Sequence, residues 1–163
     1  MMDDYIRQYG KRLYGLCMIL CASSFDADDL YQETWLRAVD KYAQYDTARE
    51  FEPWLTRICV NLYRNRLRRF RRSPVFDGFR SSEEKEFAMG AVPEQEKTDY
   101  SFLYQAVDQL PEKLRTTVIL FYFEDMDTET TAEVLGIPAG TVKSRLNKAR
   151  KLLREVLTDE ADL

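Results

Sequence analysis

Arg57, Asn61, Arg64 and Arg68 recur at i, i+4, i+7 and i+11, with Asn65 beside them. A helix through this stretch therefore carries guanidinium and carboxamide groups on one stripe. Guanidinium groups hold phosphates, asparagine pairs with a base edge, and the nearby Tyr42, Tyr45, Phe51 and Trp54 offer rings that can stack on unpaired bases. The pattern suits single-stranded or melted DNA. The plainer use of the rings is to fill a small core, and for Trp54 that is the more natural one. A second set is Thr141, Lys143, Ser144, Arg145, Asn147 and Lys148, which lie away from the apolar side of a helix starting near Ala139. A short helix and a tight turn at Gly136 precede it, which is the plan of a helix-turn-helix. There the first helix braces the second, whose N-terminal half enters a major groove. Short polar side chains read base edges in the groove and the flanking cations neutralise phosphates. A solvated basic face is the alternative, and the turn with the polar N-terminal half favours DNA.

Asp28, Asp29, Gln32 and Glu33 form a third, acidic set that would repel DNA. Carboxylates at this spacing can suggest a metal or acid–base site, but on an exposed helix they are usually solvated. A protein partner with complementary Arg or Lys fits them better. Cys17 and Cys21, with Cys59, resemble half a metal site, yet histidine is absent from the chain and ordinary buried thiols are the simpler reading. The missing histidine also removes the commonest general base. No Gly-rich phosphate loop or nucleophile motif replaces it, so a small helical enzyme fits poorly and no cofactor is expected.

The chain has 163 residues, 45% hydrophobic and 32% charged, enough for one compact domain or two small ones. No apolar run approaches the roughly 18 residues of a membrane span, and no charged-apolar-small segment opens the chain. With an odd cysteine count, this predicts a soluble cytoplasmic protein in a reducing compartment. The formal charge of −4 is unevenly spread. Eight arginines fall between Arg49 and Arg72, six basic residues between Lys143 and Arg154, and seven acids against three bases between Asp77 and Asp99. Two basic islands flank an acidic bridge.

These islands need helices to display them. Leu13, Leu16, Cys17 and Leu20 predict a first helix over about 4–21, and Asp26 an N-cap for a second whose semi-apolar face holds Leu30, Thr34, Trp35 and Ala38. Pro53 is a favoured first helical residue and opens a third over about 53–72, with Trp54, Leu55, Ile58, Cys59 and Leu62 on its core face. Residues 73–97 lack periodicity and contain Pro74, Gly78, Gly90 and Pro93, which predicts a linker. Phe102, Leu103, Ala106, Val107 and Leu110 then suggest a helix, and Pro111 starts the next with Leu114, Val118, Ile119, Phe121 and Tyr122 inward. Asp127 caps a short helix from Thr128 to Leu135 that stops at Gly136, and a final helix covers about 139–157 with Val142, Leu146, Ala149, Leu152, Leu153 and Val156 on its apolar side. No strand pattern competes, so the fold class is all-α.

Four blocks carry a family resemblance: Asp26-Ala-Asp-Asp-Leu-Tyr-Gln-Glu-Thr-Trp-Leu-Arg-Ala38, Phe51-Glu-Pro-Trp-Leu-Thr-Arg-Ile-Cys-Val-Asn61, Leu110-Pro-Glu-Lys-Leu-Arg115, and Leu135 through Arg150. In order and over almost the whole chain, they resemble the bacterial extracytoplasmic-function sigma factors, the smallest promoter-recognition subunits of RNA polymerase. The resemblance implies two small helical domains, sigma region two over 1–72 and sigma region four over 98–163, joined by a flexible acidic linker over 73–97. It implies that Asp29, Gln32 and Glu33 dock on the clamp helices of the polymerase's largest subunit, with the flap as a further core contact. It implies that the loop from Lys41 to Phe51, with Asn61 and Asn65, holds unpaired bases of the −10 element, beside which Arg57, Arg64 and Arg68 complete the −10 DNA-binding set. Thr141, Lys143, Ser144, Arg145, Asn147 and Lys148 would meet the −35 duplex. An anti-sigma factor wedged against both domains is the further partner implied, with no small-molecule substrate and no direct membrane insertion. Thr128 and Thr131 depart from the aromatic and aliphatic residues usual in the first helix of the helix-turn-helix. Thr131 falls on the inward stripe with Leu135, so that helix either packs less tightly or is held by hydroxyl-to-carbonyl bonds. An ordinary helix-turn-helix regulator with an N-terminal sensor is the rival, and it would have no need of the second Arg and Asn stripe.

Overall fold

A computed structural model describes residues 1–72 and 102–161, so the expected linker at 73–97 lies outside the described residues. The chain divides into two compact units. The first holds α1 (Met2–Leu20), α2 (Ser24–Lys41) and α3 (Phe51–Arg72). The second holds helical residues 102–108 (α4), α5 (Glu112–Val118), α6 (Thr128–Leu135) and α7 (Ala139–Ala161). Among the described residues there is no strand, and no helix is long and apolar enough to cross a membrane.

In the first unit the apolar stripes of three amphipathic helices meet. α1 contributes Leu13, Leu16, Cys17 and Leu20; α2 contributes Ala27, Leu30, Trp35 and Ala38; α3 contributes Leu55, Ile58, Cys59, Val60 and Leu62. Helices of this kind are held mainly by burial of the apolar face rather than by propensity. α1 lies close enough to α2 that a Cβ on Gly10 would come within 3.1 Å of the Tyr31 hydroxyl. Two boundaries differ from the sequence reading. Ser23, not Asp26, caps α2, its hydroxyl accepting the Asp26 N–H at 3.1 Å, and Asp26 sits in the first turn, where its charge favours the helix dipole. α3 begins at Phe51 rather than Pro53, because an early first-turn proline forfeits no intrahelical bond.

Cys17 and Cys59 are buried with sulfurs 3.8 Å apart, and Cys21 is buried near them. The contact with Cys59, then burial, pushes the Cys17 thiol far above its ordinary pKa. A thiol so protonated is neither a nucleophile nor a ready metal ligand.

In the second unit Pro111 is the N-cap of α5 rather than its first residue. Arg115 is wholly buried, its Nε 3.3 Å from Asp108 at the end of α4 and a terminal nitrogen 3.7 Å from Glu112. α5 runs into a π-turn over Ile119–Phe123, closed by the Glu124 N–H on the Ile119 carbonyl at 3.1 Å. The widened turn alters side-chain directions, so Phe121 is half-buried and Tyr122 is 48% exposed, where the sequence reading turned both inward. α7 buries Val142, Leu146 and Ala149, but Leu152 and Leu153 are only half-buried and Val156 is exposed, since its C-terminal half extends past the small core.

Thr131 is fully buried in α6 and its hydroxyl has no hydrogen-bond partner among the described residues. The alternative of a hydroxyl-to-carbonyl bond is therefore not realised. Thr131→Val keeps the shape, removes the orphaned hydroxyl, and should stabilise the second unit by about 1–3 kcal/mol. Increased hydrogen-exchange protection of α6 in the full chain is the readout, and unchanged protection would mean that the hydroxyl is already satisfied by water.

Candidate nucleic-acid interfaces

On α3 the residues singled out by spacing do share a face. Arg57, Asn61, Asn65 and Arg68 are exposed along it and Arg64 is half-buried between them. The preceding loop is ordered by its own polar groups. It holds a short 3₁₀ turn at Tyr42–Gln44, a hydrogen bond from the Ala48 N–H to the Asp46 carboxylate at 3.0 Å, and one from the Tyr45 hydroxyl to the Arg49 carbonyl. Asp46 through Glu50 are exposed at its tip. The rings divide in use. Phe51 is buried, stacked on Tyr5 with centroids 3.9 Å apart and planes 6° from parallel, so it belongs to the core and is unavailable to a base. Trp54 is half-buried, its centroid 4.9 Å from Tyr45 and 5.4 Å from Phe51, and keeps part of its surface accessible beside the α3 stripe.

Arg66, in the same arginine run, has a different use. It reaches back to α2, 3.0 Å from the Asp29 carboxylate and paired also with Glu33. Burial works against its charge, but the Glu33 hydrogen bond and charge, helped by Asp29, outweigh it and hold the guanidinium pKa above its ordinary value. Two of the four residues of the acidic set thus share one guanidinium within the chain, a long-range pairing invisible to local spacing. Gln32 stays exposed. Asp28 accepts the Tyr14 hydroxyl at 2.7 Å, and that hydrogen bond, followed by burial, raises the tyrosine's pKa.

The sequence reading missed the apolar part of this face. Phe25, Leu36 and Val39 are 79%, 68% and 54% exposed on α2. With Asp29 and Gln32 they occupy i, i+4, i+7, i+11 and i+14, a continuous stripe on the solvent side. Counting apolar residues on the side away from Leu30 and Trp35 would have found it. Exposed apolar residues grouped on one face mark protein contact more often than chance.

The second unit assembles the helix-turn-helix as spacing implied. The Asp127 carboxylate accepts the Thr130 N–H at 2.7 Å to open α6, and Gly136 closes it at φ 68°, a left-handed conformation glycine takes without strain. Hydrogen bonds from Thr130 hold the Asp127 carboxyl below its ordinary pKa. This cap therefore stabilises α6 fully above the usual carboxylate range and is lost as pH falls through the depressed value. On α7, Lys143, Ser144, Asn147 and Lys148 are exposed, and Thr141 and Arg145 half-buried. The Ser144 hydroxyl donates to the Gly140 carbonyl at 3.1 Å. Asn147 Oδ1 accepts from an Arg150 terminal nitrogen at 3.2 Å, and Arg150 Nε donates to the Tyr122 hydroxyl at 2.6 Å.

Residues 5–73 match the Sigma-70 region 2 family and residues 103–153 match Sigma-70, region 4. Both units thus carry sigma-70 architecture. The chain is 30% identical over 165 residues to ECF RNA polymerase sigma factor SigW of Bacillus subtilis, covering 96% of this chain and 88% of that one. It is 34% identical to ECF RNA polymerase sigma factor SigE of Mycolicibacterium smegmatis over 95% of this chain and 61% of that longer one. Among solved structures it resembles the sigma factor RpoE of Bartonella quintana, in complex with the anti-sigma factor NepR, with a TM-score of 0.76 at 24% identity over 96% of both chains. It also resembles CnrH, in complex with the cytosolic domain of CnrY, with a TM-score of 0.72 at 21% identity over 97% of this chain and 88% of that one. The chain belongs to the ECF RNA polymerase sigma factors and is a promoter-recognising factor of transcription initiation.

Proposed function

We propose that the first unit docks on core polymerase through the α2 stripe and holds unpaired −10 bases with the 42–50 loop and α3, while α7 reads the −35 duplex. The factor acts in the cytoplasm by recruitment and stabilised melting, with no catalysis of its own. The chief support is that each unit exposes a helix face combining cations with carboxamides, α3 and α7, alongside the separate acidic and apolar face of α2. Lys143, Arg145 and Lys148 supply phosphate contacts around Ser144 and Asn147. The RpoE and CnrH likenesses come from complexes with NepR and with part of CnrY, which supports an inhibitory protein partner here too. Run-off transcription tests the whole reading: added to core polymerase, the protein should give a specific transcript that needs both elements. Duplex binding without initiation would make it an ordinary helix-turn-helix regulator.

Within this reading Asn61→Ala should impair promoter opening about tenfold, on the scale of one good base contact, while duplex binding is kept. Arg68→Ala should give a salt-dependent, sequence-tolerant loss instead. Permanganate reactivity of the −10 region measures the difference, and an Asn61→Ala profile like the wild type would remove Asn61 from the single-strand surface.

A further inference from the structure

The hydrogen bonds around Asn147 restrict what it offers a base edge. A guanidinium carries donors and no acceptor, so the amide atom that faces Arg150 is the oxygen, and the Asn147 amino group is left as its outward-facing partner. Arg150 is itself anchored from outside its helix. Its Nε donates to the Tyr122 hydroxyl at 2.6 Å, and its guanidinium carbon lies 5.7 Å from the centre of that ring. Tyr122 is exposed toward this contact from the π-turn at Ile119–Phe123, a backbone irregularity often found at functional positions.

We propose that Tyr122 and Arg150 are specificity-positioning residues that fix the Asn147 carboxamide as a donor, so that it selects bases with acceptor edges. This rests on the reading of α7 as the −35 helix. In the major groove guanine presents N7 and O6, both acceptors, whereas adenine presents an acceptor beside a donor. A free asparagine satisfies adenine with both halves of its amide. Here Arg150 takes one of the oxygen's two lone pairs and sets a cation beside it, so the adenine amino group must approach the remaining lone pair against that charge. The amino group meets guanine with no such conflict.

The test is a selection from duplexes randomised across the −35 element, using the full chain bound to core polymerase. At the position that depends on Asn147, the wild type should favour guanine over adenine. Arg150→Ala should shift that preference toward adenine by about tenfold, on the scale of one bidentate contact. Tyr122→Phe deletes only the anchoring hydroxyl and should shift it the same way by a smaller factor. In an Asn147→Ala background, Arg150→Ala should leave the preference at that position unchanged. A uniform loss of affinity in Arg150→Ala with the base preference intact overturns the proposal and makes Arg150 a phosphate contact; so does a wild-type preference for adenine. The parent reading fails separately. If the wild type selects no preferred bases across the −35 element, the reading of α7 falls; if Asn147→Ala selects the wild-type consensus, Asn147 contacts no base and the alignment of its carboxamide falls while that reading stands. If Asn147→Ala changes the consensus and Arg150→Ala does not, only the alignment falls.

Discussion

Arg115→Met should destabilise the region 4 unit by about 3–5 kcal/mol, the usual cost of removing one partner from a buried ion pair. Arg115 has no exposed side-chain surface, and Asp108 and Glu112 beside it are largely covered. Deleting the guanidinium leaves their charge poorly solvated and removes the tie between α4 and α5. A small helical unit has little stability to lose, so most of its folding free energy is at stake. Hydrogen exchange in the full chain is the measurement: α5 amides should lose protection by that amount while α1–α3 stay as they are. Arg115→Met combined with Asp108→Leu should recover much of the loss, because a buried pair replaced as a whole by apolar groups is often tolerated. Wild-type protection in the single variant would show that the pair is balanced by water.

Leu36→Glu should weaken binding to core polymerase by about 2–4 kcal/mol, the range for an apolar anchor at the centre of an interface. Leu36 is exposed between Gln32 and Val39, so the change leaves the packing of the unit alone, and the helical circular dichroism should not move. Glu33→Gln should cost less, because Glu33 is already engaged by Arg66 in the free chain. Titration of fluorescently labelled core separates the two. Equal affinity for Leu36→Glu and the wild type would move the docking surface off this stripe of α2.

Much of the architecture was legible because it is local. The stripes of α1, α2 and α3, the Asp127 cap, the stop at Gly136 and the polar start of α7 are all written within a few residues of where they act. Side-chain destinations over longer distances were not. Arg66 looks like one more member of a basic run, and only the packing of α3 on α2 brings it to Asp29 and Glu33. Arg115 and Phe51 mislead in the same direction, since a charged residue reads as surface and a ring beside a loop reads as available, yet both are buried. The π-turn leaves no periodic signature, so Tyr122 was turned inward and its contact with Arg150 went unseen. At α2, Ser23 and Asp26 are both competent caps, and the periodic pattern does not choose between them.

The placement of the tryptophans makes the protein its own spectroscopic label. The chain has two, Trp35 and Trp54, and both lie in the region 2 unit. Intrinsic tryptophan emission therefore reports on α1–α3 alone and is silent on the helix-turn-helix. An unfolding curve followed by emission separates from one followed by far-ultraviolet dichroism if the units melt at different denaturant concentrations, because dichroism sums over both. Trp54 adds a second use. Half-buried against Tyr45 and next to the α3 stripe, it is close to where flipped bases would arrive. Quenching of its emission by a single-stranded −10 oligonucleotide would report the arrival of bases at the free chain, with no dye attached to either molecule.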